Sequence, residues 1–216
     1  MKSRQEIKEI ARQNVAQQRG VAIAMILVSG LVAGIGSIVS QVDVLTGLYV
    51  TLIIGMFVAA PINVGFYSGF AKIYRRENTS VGVLFEAFNV NYLRKVGSMA
   101  LMGLFVLLWS LLLVIPGIIK GIAYSMTPYI LAEYPNVKAR DAIKLSMRIT
   151  EGYKAELFVA QLSFLGWQIL SAFTCGILYL VFSGPYMYTT FGGYYNELKA
   201  KALADGVISQ SELEGH

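Results

Sequence analysis

No Asp, Glu, Lys or Arg interrupts this chain from Val21 to Val42, from Val44 to Ala71, from Val96 to Ile119, or from Leu157 to Asn196. A helix rises about 1.5 Å per residue, so roughly 20 apolar residues cross a hydrocarbon core about 30 Å thick. Each of the first three stretches is long enough for one crossing. The fourth has about twice that length and reads as two spans turning near Thr174 to Gly176. A shorter stretch, Gly121 to Ala132, follows Lys120 and joins Pro116 to Ile119 as one more crossing. The expectation is an all-α polytopic membrane bundle of about six transmembrane helices in three hairpins, with amphipathic interfacial helices. The expected spans are 21–42, 44–71, 96–115, 117–133, 157–174 and 177–195, in a membrane domain over 1–198 followed by a cytoplasmic tail over 199–216. Composition agrees: 14% of the 216 residues are charged, against roughly a quarter in soluble domains.

The basic residues orient these spans. They cluster in residues 1–20, 72–95 and 133–156, with Lys199 and Lys201 in the tail. The intervening turns, near Gln41–Gly47, Ile115–Gly117 and Thr174–Gly176, carry none. The positive-inside rule therefore puts both termini and both long loops in the cytoplasm of a multi-pass cell-membrane protein. Of the 18 Lys and Arg residues, Lys120 alone falls elsewhere. The net charge of +5 is accordingly assigned to anionic headgroups, and no nucleic-acid partner is expected. The N-terminal polar stretch is too long and too charged to read as a cleavable signal.

The chain also looks like three copies of one unit: interfacial helix, span, tight turn, proline-bearing span. Ile7, Ile10, Ala11 and Val15 follow helical spacing behind a Ser3/Glu6 capping-box pattern. Val83, Leu84, Ala87 and Phe88 form a second stripe, and Ala139, Ala142, Ile143, Met147 and Ile149 a third. Pro61, Pro128 and Pro185 each precede aromatic residues and predict helix kinks. The carbonyl that each proline frees must find another donor in lipid, and Ser125, Thr127 and Ser183 are placed to help. The small-residue pairs Gly30/Gly34, Gly65/Gly69 and Gly117/Gly121 predict close helix packing within the chain. Tyr67, Tyr74, Tyr129, Tyr134, Tyr186, Tyr188, Tyr194 and Tyr195 read as an interfacial aromatic belt.

The run Trp109 to Pro135 (WSLLLVIPGIIKGIAYSMTPYILAEYP), DAIKLSM at 141–147, SFLGWQIL at 163–170 and the opening SRQEIKEIARQNV resemble a bacterial integral-membrane family catalogued as domain of unknown function 975. The resemblance runs from residue 3 to about 198. It implies a multispan protein of a kind found largely in Gram-positive bacteria, and it carries no activity, catalytic residue or cofactor with it.

Chemistry is sparse. The hydrolase serine elbow and the phosphate-binding loop are absent, and Asp43 and Glu133 fall at opposite span boundaries. One Cys and one His cannot build a His/Cys zinc site in one chain, and Cys175 reads as a small buried thiol. No enzyme, metal or cofactor is expected. Two candidate binding residues remain: Lys120, either snorkelling to the outer interface or holding an anion, and Asn63, two residues past Pro61. Gln161 and Gln168 read as interhelical contacts. In the tail, Gly206 reads as a helix C-cap and Ser209/Glu212 as a second capping box, giving either a solvated tail or a small docking element. The function expected is a non-enzymatic module of the cell envelope that binds membrane lipid, peptide or a partner membrane protein. The alternative is a small transporter, channel or lipid flippase using the proline-kinked spans. Oligomeric state stays open.

Overall fold

A computed structural model describes residues 2–39, 44–89, 91–112 and 114–214. The described residues are helical, with no strand among them. Helix α1 (Arg4–Gln17) leads at a 92° bend into α2 (Arg19–Val39). Next come α3 (Val44–Ile54), a π-helical stretch Gly55–Ala59 and α4 (Ala60–Tyr74), which together run as one helical rod. A short 3-10 turn over Val81–Phe85 and α5 (Glu86–Asn89) precede α6 (Tyr92–Leu112), α7 (Val114–Tyr124) and α8 (Thr127–Glu133). Then follow α9 (Ala139–Ile149), α10 (Lys154–Leu162), α11 (Leu165–Phe173), a second π-helical stretch Tyr179–Ser183, α12 (Gly184–Ala204) and α13 (Gln210–Glu214).

Among the described residues, three helical runs are long and apolar enough to cross a membrane: Leu45–Tyr74, Tyr92–Leu111 and Lys154–Phe173. The bent pair α1–α2 makes a fourth if taken as one span. The segment expected to span 117–133 is divided by a turn at Ser125–Met126, so neither α7 nor α8 reaches crossing length alone. Of the expected turn at Gln41–Gly47, residues 41–43 lie outside the described residues and Val44–Gly47 begin α3, while the turn expected at Ile115–Gly117 falls inside α7. That at Thr174–Gly176 is present, with Cys175 at φ 50° and Gly176 at φ 82°. Cys175 is exposed in this turn, not buried as expected, because a left-handed turn at a helix end carries its side chain away from the packed faces.

Burial concentrates where the amphipathic stretches meet the proline-bearing helices. α1 has the capping box its sequence predicts: Ser3 Oγ accepts from the Glu6 N–H at 3.3 Å, and Glu6 Oε2 accepts from the Ser3 N–H at 2.7 Å. Its buried Ile7, Ala11 and Val15 pack on α12 and α4, and its buried Asn14 donates to the Tyr74 carbonyl at 2.7 Å. Val83 and Leu84 of the 3-10 turn pack on α4. Ala142, Ile143, Leu145 and Ile149 are the buried face of α9, which packs against α6, α7 and α8. Each amphipathic element thus turns its apolar stripe onto another part of the same chain. By contrast Leu31, Leu45, Leu111 and Phe173 stand exposed on the long helices, a distribution that water does not favour and lipid does.

Candidate binding cavity

Pro61, Pro128 and Pro185 each occupy the first turn of a helix that follows an irregular stretch. Pro61 opens α4 after the first π-helical segment, Pro185 opens α12 after the second, and Pro128 opens α8 after the turn at Ser125–Met126. The missing proline N–H is harmless in a first turn, and the extra residue of a π stretch absorbs the register change. Other groups satisfy the displaced backbone. Tyr92 Oη donates at 2.5 Å to the carbonyl of Phe57, the residue four before Pro61. Ser146 of α9, fully buried, donates to the Ala123 carbonyl at 2.7 Å and accepts from the Met126 N–H at 3.2 Å, mending the break before α8. Among the residues named from sequence, Ser125 bonds the Ile122 carbonyl at 2.7 Å and Ser183 meets Ser171 at 3.1 Å. Thr127 Oγ1 has no partner among the described residues.

The helices opened by these prolines converge. α4 packs against both α12 and α8. Gly192 permits the α4–α12 approach: a Cβ there would lie 2.9 Å from the Cα of Ala71. The rings of Tyr67 and Tyr129 lie 5.0 Å apart, and Tyr129 stacks on Tyr195 at 4.9 Å. One carboxylate, Glu133, ties the three helices at their far ends. It accepts from Tyr195 Oη at 2.5 Å and Lys199 Nζ at 2.6 Å, while Arg75 approaches its other oxygen at 3.8 Å.

Beside this junction lies a cavity of about 600 Å3, bounded by α4, α6, α7, α8, α10, α11 and α12. That volume falls in the range of small-ligand sites, roughly 300–1,000 Å3. Its wall runs from Ile118 to Leu157 and includes the methionines Met99, Met102, Met126 and Met187. Polar groups enter from Asn63, Ser125, Gln161 and Gln168, and from Tyr67, Tyr129 and Tyr188. Among the described lining residues there is no Asp, Glu, Lys, Arg or His. No group of three or more His, Cys, Asp or Glu that could hold a metal occurs among the described residues.

The residues singled out from sequence distribute unevenly over this site. Asn63, Gly121 and Pro128 line the cavity. Lys120 does not; its Nζ sits 5.1 Å from the centre of the Trp109 ring, a cation–π placement. Gly65 faces the backbone of Val83 and Leu84, and Gly69 faces Met25, so this pair receives the 3-10 turn and α2. Gly117 faces Ser110 of α6, whereas a Cβ added to Gly30, Gly34 or Gly121 would meet nothing within 4 Å. Tyr129, Tyr194 and Tyr195 are buried instead of forming the expected belt, because the convergence of the proline helices covers them. Sequence reasoning missed the methionine wall and the Gly192 contact; a Gly192-Gly193 doublet inside an aromatic-rich helix was the available signal for the second.

Residues 110–202 match the family described as Protein of unknown function (DUF975), which bears out the resemblance over that segment and supports membership of that family. No curated protein and no solved structure matches the chain.

Proposed function

We propose that this DUF975-related chain is a six-span integral protein of the cell membrane, with both termini cytoplasmic, acting as a non-enzymatic module that binds membrane lipid. The two-part segment 114–133 and the run 177–195 complete the six crossings in this reading, since both are flanked by apolar helices and hold few charges. The observation that carries the functional reading is the cavity among the proline-opened helices, walled by methionines and open to the exposed side chains of Ile118 and Gln161. Methionine suits acyl chains because its unbranched, flexible side chain adapts to irregular apolar shapes. Peptide or a partner membrane protein are the other occupants considered, and they are less well matched to a cavity of about 600 Å3.

Native mass spectrometry of the protein released from its own membrane tests the reading. A retained lipid mass is expected, lost in Gly121→Phe, whose side chain enters the cavity, and kept in Lys120→Met, whose cation lies outside it. Retention of a peptide or protein mass in place of lipid would overturn it. Protease accessibility of tags at each end tests the topology, and external exposure of either tag sinks it. The π-helical stretches before Pro61 and Pro185 favour a second reading, in which the helices rock to pass a lipid or solute across the bilayer. Movement of fluorescent lipid in proteoliposomes separates that flippase or facilitator role from static binding.

A further inference from the structure

We infer that the cavity takes an uncharged amphiphile, an acylglycerol-type molecule whose hydroxyl and ester groups meet the amides of Asn63 and Gln161 while an acyl chain lies along the methionines. The inference rests on the lipid-binding reading above and specifies the headgroup. Its first ground is electrostatic. An anionic phosphate withdrawn from water needs a cation or several charge-assisted donors, and an ammonium needs a carboxylate. The described lining holds neither, and the nearest cation in sequence, Lys120, is engaged over Trp109.

The second ground is the state of the polar groups. The side-chain amides of Asn63 and Gln161, both exposed residues, have no hydrogen-bond partner among the described residues, and the Gln168 amide reaches only the Met187 sulfur at 3.4 Å. Tyr129, 2% exposed, keeps a buried hydroxyl with no partner among the described residues. A buried hydroxyl without a partner is uncommon in native structures and points to a group that supplies one. An amide offers both a donor and an acceptor, as a hydroxyl or an ester carbonyl requires. Tyr188 is less available, because its hydroxyl already pairs with that of Tyr179 at 2.9 Å. The wall therefore presents neutral, two-way hydrogen bonding next to flexible apolar surface.

Purified full-length protein in nanodiscs of a zwitterionic phospholipid would be titrated with monoacylglycerol and, separately, with phosphatidylglycerol, binding being read by native mass spectrometry. The expected result is saturable acylglycerol binding that phosphatidylglycerol does not displace. The double variant Asn63→Leu/Gln161→Leu should weaken it at least tenfold while leaving the thermal melting point within a few degrees of the parent. Gly121→Phe should abolish it. Unchanged acylglycerol binding in the double variant overturns the inference, as does phosphatidylglycerol binding that Gly121→Phe removes; in the latter case the lipid-binding reading survives. If neither probe responds to Gly121→Phe, that reading falls with it.

Discussion

At the residue scale, the structure assigns backbone repair to side chains that sequence position does not advertise. Ser146 lies on the amphipathic helix α9, yet its hydroxyl is buried and serves both an orphaned carbonyl and an orphaned N–H at the break before Pro128. Removing it leaves the Met126 N–H unpaired in a dry site, at a cost of about 1–3 kcal/mol, and leaves the Ala123 carbonyl only the longer 3.4 Å bond from Thr150 Oγ1. Ser146→Ala is therefore expected to lower the melting temperature in detergent by several degrees, measured by scanning fluorimetry; an unchanged midpoint would mean that water or another donor replaces the hydroxyl. Lys120 illustrates the opposite case. Alone among the basic residues in its sequence position, it marks a candidate site, but its ammonium rests on Trp109 and the cavity wall closes without it. A Lys–Trp pair fits an interfacial anchor, where an aromatic ring and a long cationic stem both find partly polar surroundings.

At the element scale, glycines separate into those that set helix spacing and those that do not. Gly192 of α12 lies against the backbone of Ala71 in α4, so any side chain there pushes two helices apart. Gly30 of α2 has no such neighbour. Gly192→Leu is expected to destabilise by about 1–3 kcal/mol through overpacking. Gly30→Leu should be neutral or slightly stabilising, since Gly costs a helix up to about 1 kcal/mol relative to good helix formers. Thermal melts of the two variants side by side make the comparison; equal losses would remove the α4–α12 contact from its proposed role. The sequence motif is the same small residue in both helices, and only the neighbour distinguishes them.

At the scale of the whole molecule, the tail and the proline helices close the basic end. Ile208 and Leu213 of the tail are buried, and Arg148 of α9 pairs with Glu212 at 2.6 Å, so the tail docks. The Arg148 guanidinium, with the Ser209 backbone N–H, holds the exposed Glu212 carboxyl below its ordinary value of 4.5. A carboxylate with a depressed folded-state pKa contributes its stability above the ordinary value and loses it as pH falls through the depressed one. Hydrogen exchange at 208–213 should therefore rise as pH drops below 4.5, relative to the intrinsic rate, and Arg148→Gln should flatten that dependence. Persistence of the same pH profile in the variant would assign the docking to Ile208 and Leu213 alone. The sequence by itself determined the helical class, the charge-free stretches, the α1 capping box, the Gly206 and Ser209 tail signals and the positions of the prolines. These follow from local terms: hydrocarbon excludes charge, and caps and prolines act within one turn. Tertiary structure alone decided that the amphipathic stripes pack inward, that Tyr74, Tyr129, Tyr194 and Tyr195 are core, that Asn63 borders a cavity and Lys120 does not, and that Glu133 joins Lys199, 66 positions away. Those outcomes depend on which faces meet, and equally apolar helices in a uniform solvent have no sequence-local preference among partners.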